Sequence, residues 1–183
     1  MKTNSIVLIG MPGSGKTTVG QPLSQALGMS FIDTDMIIFE KENKPLKDIV
    51  AQDGLDRFLQ IQEQTLLELD LNNRVISTGG SVVYNKTAME FLKKNGIVVY
   101  LKQELEELEK RLAPGRRLAR NSEQGFADIY AEREPLYEKY ADVTIDCTNK
   151  SVDSIVTEIT SIYNEFKTRS NYIYEIKGEK VGW

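Results

Sequence analysis

An α/β fold, with a parallel sheet covered by helices on both faces, is the fold class this sequence predicts. Three observations carry it. Five short apolar runs of strand length recur along the chain. Longer stretches with helical spacing separate them. The runs are continuously apolar rather than alternating, as strands buried on both faces must be.

The elements follow in order. Residues 5–9 (SIVLI) read as a buried strand. Residues 17–27 carry helical spacing at Val19, Leu23, Ala26 and Leu27, and Gly28 ends that helix. Residues 29–32 form a second strand, and residues 36–42 follow as a helical segment. Helices are predicted over 46–52 and 55–71, divided by Gly54. Residues 74–77 (RVIS) are the third strand. A helix over 86–94, closed by Asn95-Gly96, leads to the fourth strand at 97–101 (IVVYL). Residues 105–112 are helical, and residues 124–140 form a long helix broken or bent near Pro135. The fifth strand is 143–146, and a helix over 152–166 follows it.

Two segments escape this alternation. Residues 113–125 hold few large apolar residues but contain Arg116, Arg117 and Arg120, so they read as a mobile basic loop. Residues 170–183 alternate aromatic and polar side chains, which suits an additional strand, a frayed end or an appended remnant. With no internal repeat or linker, one domain is expected over 1–169, leaving a tail of unassigned role at 170–183.

Composition narrows the chemistry. The 183 residues include no histidine, which excludes Ser-His-Asp and Cys-His triads, HExxH zinc sites and a histidine base. The single cysteine, Cys147, can form neither an intrachain disulfide nor a CxxC site, so a reducing compartment, the cytoplasm, is expected. Cys147 itself reads as a small buried hydrophobe. A net charge of −4 argues against nucleic acid as partner. No apolar run approaches the roughly 18 residues of a membrane helix, so no membrane partner is expected either. The chemistry must come from Asp, Glu, Lys, Arg, hydroxyls and backbone.

Residues 10–17 (GMPGSGKT) fit GxxxxGK[ST] directly after a strand and before a helix, the context that motif requires. Gly10, Gly13 and Gly15 let backbone N–H groups curl round phosphate oxygens, with Ser14 and Thr18 in the same cradle. The helix adds its positive dipole end. Lys16 can reach the β- and γ-phosphates, and the Thr17 hydroxyl can ligate Mg²⁺. Nucleotide binding follows, without separating ATPase, GTPase and kinase.

Asp33 and Asp35 stand at the carboxyl end of the second strand, the edge where open α/β sheets bind ligands. Asp33 can hold Mg²⁺ directly or through water, and Asp35 can orient a substrate hydroxyl. Either can instead cap the helix that follows. Gly79 and Gly80, after the third strand, allow close backbone approach to a ligand or a tight turn. The arginines of residues 113–125 suit a lid that neutralises γ-phosphate charge, or a solvated loop. Arg133 can pair with neighbouring Glu132 or Glu134, or clamp an anionic substrate. Tyr137 and Tyr140 read as packing residues.

Taken together, the phosphate loop, the D-x-D pair, the glycine turn, the arginine-bearing lid and the pattern of Arg133, Tyr137 and Ala141 resemble the shikimate kinases, a family of P-loop small-molecule kinases. The resemblance spans residues 5–166. It implies a three-layer P-loop kinase fold with strand order 2-3-1-4-5, a substrate-binding segment near 35–62 and a lid near 113–125. It implies ATP and Mg²⁺, with Lys16 and Thr17 on the nucleotide, Thr17 and Asp33 on the metal, and Arg111 near the adenine. Asp35 then holds substrate hydroxyls, Gly79 and Gly80 the ring, and Arg133 the carboxylate. Arg116 or Arg117 is the catalytic lid arginine. A monomer taking a small-molecule substrate is expected.

Three departures from the family pattern stand out. The family's G-E-x-x-F-R-x-x-E reads here as Gly54 to Gln62, with Phe58 kept but Leu59 in place of the arginine and Gln62 in place of the glutamate. Arg57 is near in sequence and is a candidate substrate contact, though two helical positions from Leu59 is about 200° of rotation. Ser81 replaces the third glycine, and the lid's usual R-P-L-L reads Arg116-Arg117-Leu118-Ala119, without the proline. The acceptor therefore remains open between shikimate and another hydroxylated small molecule, such as a sugar acid or hydroxy amino acid. A nucleotide-binding regulatory module without acceptor chemistry is the alternative of a different class.

Overall fold

Alternate residues of the first apolar run build two different cores. In β1 (Ile6–Ile9) every residue is buried. Val7 and Ile9 pack with Ile76, Val98 and Tyr100 on one face, and Ile6 and Leu8 with Val75, Val99 and Leu101 on the other. That two-sided burial makes the run continuously apolar, and each such side chain stabilises the fold by about 1.5–3 kcal/mol. The structure, a computed structural model, describes residues 4–111 and 125–178.

The order of elements is β1, α1 (Lys16–Leu27), β2 (Ser30–Asp33), α2 (Thr34–Glu42), α3 (Leu46–Leu67), β3 (Arg74–Ser77) and α4 (Lys86–Asn95). Then come β4 (Ile97–Lys102), α5 (Leu105–Arg111), α6 (Phe126–Tyr140), β5 (Val143–Asp146) and α7 (Val152–Gly178). The five strands are all parallel, in the order β2-β3-β1-β4-β5. Val19 and Leu23 of α1 and Ile155 and Ile159 of α7 cover one face of the sheet. Leu66 of α3, Met89 and Leu92 of α4 and Tyr137 of α6 cover the other. This is the expected three-layer arrangement. A third cluster, Ile38, Ile49, Phe58 and Ile61, joins α2 to α3 and gives the segment beside the cleft its own small core.

Helix ends follow the sequence signals closely. Gly28, with φ of 63°, caps α1. Gly54, at φ 85° and ψ 165°, interrupts α3 where the division was expected. The second half of α3 stops at Leu67 rather than 71, because Asp70 takes the N–H of Asn72 at 3.0 Å and turns the chain into β3. One expectation is narrowed and one open alternative is removed. Helix α6 is not broken at Pro135 but continues through it, giving up only the bond from the missing N–H. The tail is no strand as far as Gly178, for α7 runs on to that residue. A helix already formed extends one bond per residue, whereas a strand needs an open sheet edge. The expected lid lies outside the described residues except Gly125, the N-cap residue of α6, whose N–H donates to Asp128 Oδ2 at 2.8 Å.

Cys147, just past β5, is buried, and burial pushes its thiol up to about 11. A raised value means little thiolate at pH 8, on the order of one part in a thousand. A thiol reagent at pH 8 is therefore expected to label the native protein at least about a hundredfold more slowly than the denatured chain. Equal labelling rates would place Cys147 at the surface.

Candidate active site

The turn between β1 and α1 is bent by glycines in left-handed conformations, Gly13 at φ 88° and Gly15 at φ 90°. Gly10 is crowded as well: a Cβ there would come 2.8 Å from the carbonyl oxygen of Leu101. Lys16 opens α1 and folds back over the turn. Its buried ammonium donates to the carbonyl oxygens of Gly10 and Met11, each at 2.8 Å, and to Ser14 Oγ at 3.4 Å. The turn thus holds a cation at the N-terminus of a twelve-residue helix.

Asp33 ends β2 and makes two contacts at once. Its Oδ1 accepts the N–H of Asp35 at 3.0 Å, which caps α2. Its Oδ2 accepts the Thr17 hydroxyl at 2.7 Å. The capping role therefore coexists with a place beside the phosphate loop. Parallel pairing sets Ser77 of β3 opposite Asp33, and Ser77 Oγ lies 3.3 Å from Thr17 Oγ1. Ser77 was not singled out from the sequence, since strand register decides its place. Among the described residues no cluster of three or more Asp, Glu, Cys or His side chains could hold a metal. One carboxylate with two hydroxyls is nonetheless the hard, sparse oxygen set that Mg²⁺ accepts when water and phosphate complete its shell.

The glycine turn after β3 is gripped from several sides. Thr78 Oγ1 donates to the Leu8 carbonyl at 2.9 Å. Tyr137 OH donates to the Gly80 carbonyl at 2.5 Å, and its ring stacks on Tyr100 with centroids 5.0 Å apart. Tyr137 thus packs, as expected, and also fixes the turn. Its burial raises its phenol well above the ordinary tyrosine value, so the OH remains a donor. A Cβ on Gly80 would come 3.3 Å from Arg133 Nη1, and one on Gly79 would come 2.5 Å from Asp35 Oδ1. Both glycines are required by close approach.

Arg133 is 1% exposed. Its Nε donates to Tyr84 OH at 3.1 Å, and its guanidinium lies 4.9 Å from the centre of that ring. Glu134 instead pairs with Lys102 at 2.8 Å. Burial raises the Tyr84 phenol, with Arg133 working against that rise. Tyr84 is a second residue that sequence inspection missed, because its partner lies 49 positions away.

A cleft of about 350 Å³ joins these parts. Pro12, Gly13, Gly15, Lys16, Thr17, Thr18, Asp33, Asp35, Ser77, Thr78, Gly80 and Arg111 line it. Arg111 ends α5, which lies against the phosphate loop, with its Cβ 3.9 Å from where a Gly13 Cβ would sit. With the Gln103 amide turned to satisfy both neighbours, its oxygen accepts from Arg111 Nη2 at 2.9 Å. Arg57 lies elsewhere. It is exposed and lines a separate groove of about 400 Å³ along α3, together with Asp56, Leu59, Gln60, Glu63, Gln64 and Asn85. Arg57 and Leu59 share that groove despite their angular separation. Arg116 and Arg117 lie outside the described residues.

A cation-bearing phosphate loop, a metal-suited oxygen set and a carboxylate on the far side of one cleft, on a five-stranded parallel sheet, define a P-loop phosphotransferase. The shikimate kinase family profile matches residues 12–164. A shikimate kinase from Clostridium botulinum (strain ATCC 19397 / Type A) is 42% identical over 170 residues, covering 89% of this chain and 98% of its own. One from Bacillus anthracis (strain A0248) is 37% identical over 164 residues, 88% of this chain and 99% of its own. The shikimate kinase from Acinetobacter baumannii, solved in complex with shikimate, superposes with a TM-score of 0.78 at 28% identity, covering 98% of this chain and 96% of that one. The chain belongs to the shikimate kinase family.

Proposed function

We propose that this protein transfers the γ-phosphoryl group of ATP to a hydroxyl of shikimate, giving shikimate 3-phosphate and ADP. The observation that carries this is the meeting of Lys16, Thr17, Asp33 and Asp35 in one cleft, in a chain of this family. The shikimate hydroxyl oxygen attacks the γ-phosphorus, the bridging P–O bond to the β-phosphate breaks, and ADP leaves with that electron pair. Asp35 accepts the hydroxyl's hydrogen bond, aims the oxygen and receives its proton. Lys16 and the loop N–H groups hold the phosphates, with Gly10, Gly13, Ser14, Gly15 and Thr18 shaping the cradle. Thr17 and Asp33, beside Ser77, are the residues that would hold Mg²⁺, which when bound neutralises charge across the β- and γ-phosphates. Arg111 serves the nucleotide base, and Arg116 or Arg117 the charge on the transferring group.

On the acceptor side, Gly79 and Gly80 bring backbone close to the ring. Arg133 meets the shikimate carboxylate, and Arg57, which lines the groove along α3 rather than this cleft, is left out of that contact. A monomeric, cytoplasmic enzyme is the reading that fits a short chain with a closed core and a single, free cysteine. Among the described residues no helix is long and apolar enough to cross a membrane.

Release of ADP from the purified protein, measured with shikimate and with a panel of sugar acids, hydroxy amino acids and polyols, tests the acceptor. Shikimate is expected to be turned over fastest. Turnover of another alcohol with none at millimolar shikimate would refute the acceptor and leave the kinase standing. A further outcome concerns Leu59. With one arginine in place of the family's pair, the shikimate KM is expected to be high. Leu59→Arg is expected to lower it about tenfold, the effect of one charge-assisted hydrogen bond. No change in KM would mean that another basic residue already fills that role.

A further inference from the structure

Two of the three departures from the family pattern touch each other. Ser81 Oγ donates to Gln62 Oε1 at 3.2 Å, across 19 positions of sequence. Gln62 is fully buried, at 0% exposure, on the face of α3 turned toward the glycine turn. Its Nε2 is buried and has no hydrogen-bond partner among the described residues. A buried donor left without an acceptor is costly, so its retention calls for a physical account.

The surroundings of that nitrogen supply one. The point where a Cβ on Gly79 would sit is 2.7 Å from Gln62 Nε2 and 2.5 Å from Asp35 Oδ1. The amide N–H side and the carboxylate therefore flank the same glycine, with no side chain between them. The amide orientation is also the physically favoured one. Turning it over would aim Oε1, an acceptor, toward a carboxylate oxygen, another acceptor. Ser81, as a hydroxyl donor to Oε1, holds the amide the right way round.

We propose that Gln62 is a positioning residue for Asp35. Ser81 fixes the amide oxygen, and the buried N–H is set to donate to Asp35 Oδ1 as the acceptor engages the carboxylate. One lobe of Asp35 is then held by protein, and the carboxylate keeps the angle at which it orients the acceptor hydroxyl. Gln62 and Ser81 form a single device: without Ser81 the amide oxygen of Gln62 is unheld and the amide is free to turn over. The family glutamate at this position would bring a second negative charge toward Asp35. The neutral amide brings a donor.

This inference rests on the assignment of Asp35 to the acceptor hydroxyl, and the test keeps the two separable. Wild-type turnover of shikimate, and its large loss in Asp35→Asn, test that assignment first. Gln62→Met then removes the N–H while keeping length and apolar volume. It is expected to lower kcat/KM for shikimate about tenfold, with the ATP KM within about twofold and the thermal midpoint little changed. The decisive readout is the double mutant. If Gln62 acts through Asp35, Gln62→Met placed on Asp35→Asn costs less than about twofold more. A full tenfold loss in both backgrounds would make Gln62 independent of Asp35 and overturn the proposal, as would unchanged kcat/KM in the single variant. Should Gln62→Met fail to fold, Ser81→Ala serves in its place. It is expected to lower kcat/KM about threefold on its own and to add almost nothing to Asp35→Asn, and additivity there overturns the proposal equally.

Discussion

Lys16→Ala is expected to reduce kcat at least about a hundredfold, comparable to removing a preorganised donor to transition-state charge. Within residues 10–17 this is the single cationic side chain. It is held by the Gly10 and Met11 carbonyls at 2.8 Å, at the mouth of a helix whose dipole points the same way. The charge is thus already placed before a triphosphate arrives, so little reorganisation opposes its use. Alanine suits the first turn of α1 and leaves the glycine conformations of the loop untouched. The stability cost is that of the lost hydrogen bonds, about 1 kcal/mol or somewhat more. Turnover by ADP release and the thermal midpoint should be measured on the same preparation. Turnover near wild type in the folded variant would remove the phosphate-loop assignment.

How far such a site is legible in sequence depends on how local its causes are. The phosphate loop is written in eight consecutive residues, because one turn of backbone makes the whole cradle. The five strands are legible because burial on two faces leaves no polar positions to confuse the pattern. Asp33 shows where local reading stops. Capping and a place beside Thr17 looked like alternatives in sequence, yet one carboxylate has two oxygens, and each takes one partner. Ser77 depends on the register of β2 against β3, which no spacing reveals. Tyr84 under Arg133, Tyr137 on the Gly80 carbonyl and Ser81 on Gln62 are contacts between distant segments. Their residue types say only that a polar tip will need a partner when buried. The tail stayed open for the opposite reason: its alternation is local, but whether a strand forms depends on an available edge.

Asp35→Asn is expected to lower turnover of shikimate by about two orders of magnitude or more, within the range of a lost acid–base group. The nucleotide dissociation constant is expected to stay within about threefold. The two aspartates are close in sequence but face different partners. Asp33 receives Thr17, the hydroxyl at the end of the phosphate loop. The carboxylate of Asp35 lies instead against Gly79, in the glycine turn whose next residue, Gly80, meets Arg133. Asparagine at position 35 keeps the backbone N–H that Asp33 accepts, so the cap of α2 survives. It also keeps an oxygen of nearly the same reach. What it loses is the charge that draws the hydroxyl proton and the second acceptor lobe. The loss should fall on kcat with shikimate, while Asp33→Asn should instead weaken Mg²⁺-dependent nucleotide binding. Equilibrium binding of the nucleotide and steady-state turnover, measured on both variants, separate the two. Collapse of nucleotide affinity in Asp35→Asn, with turnover spared in Asp33→Asn, would mean that the two carboxylates hold each other's roles.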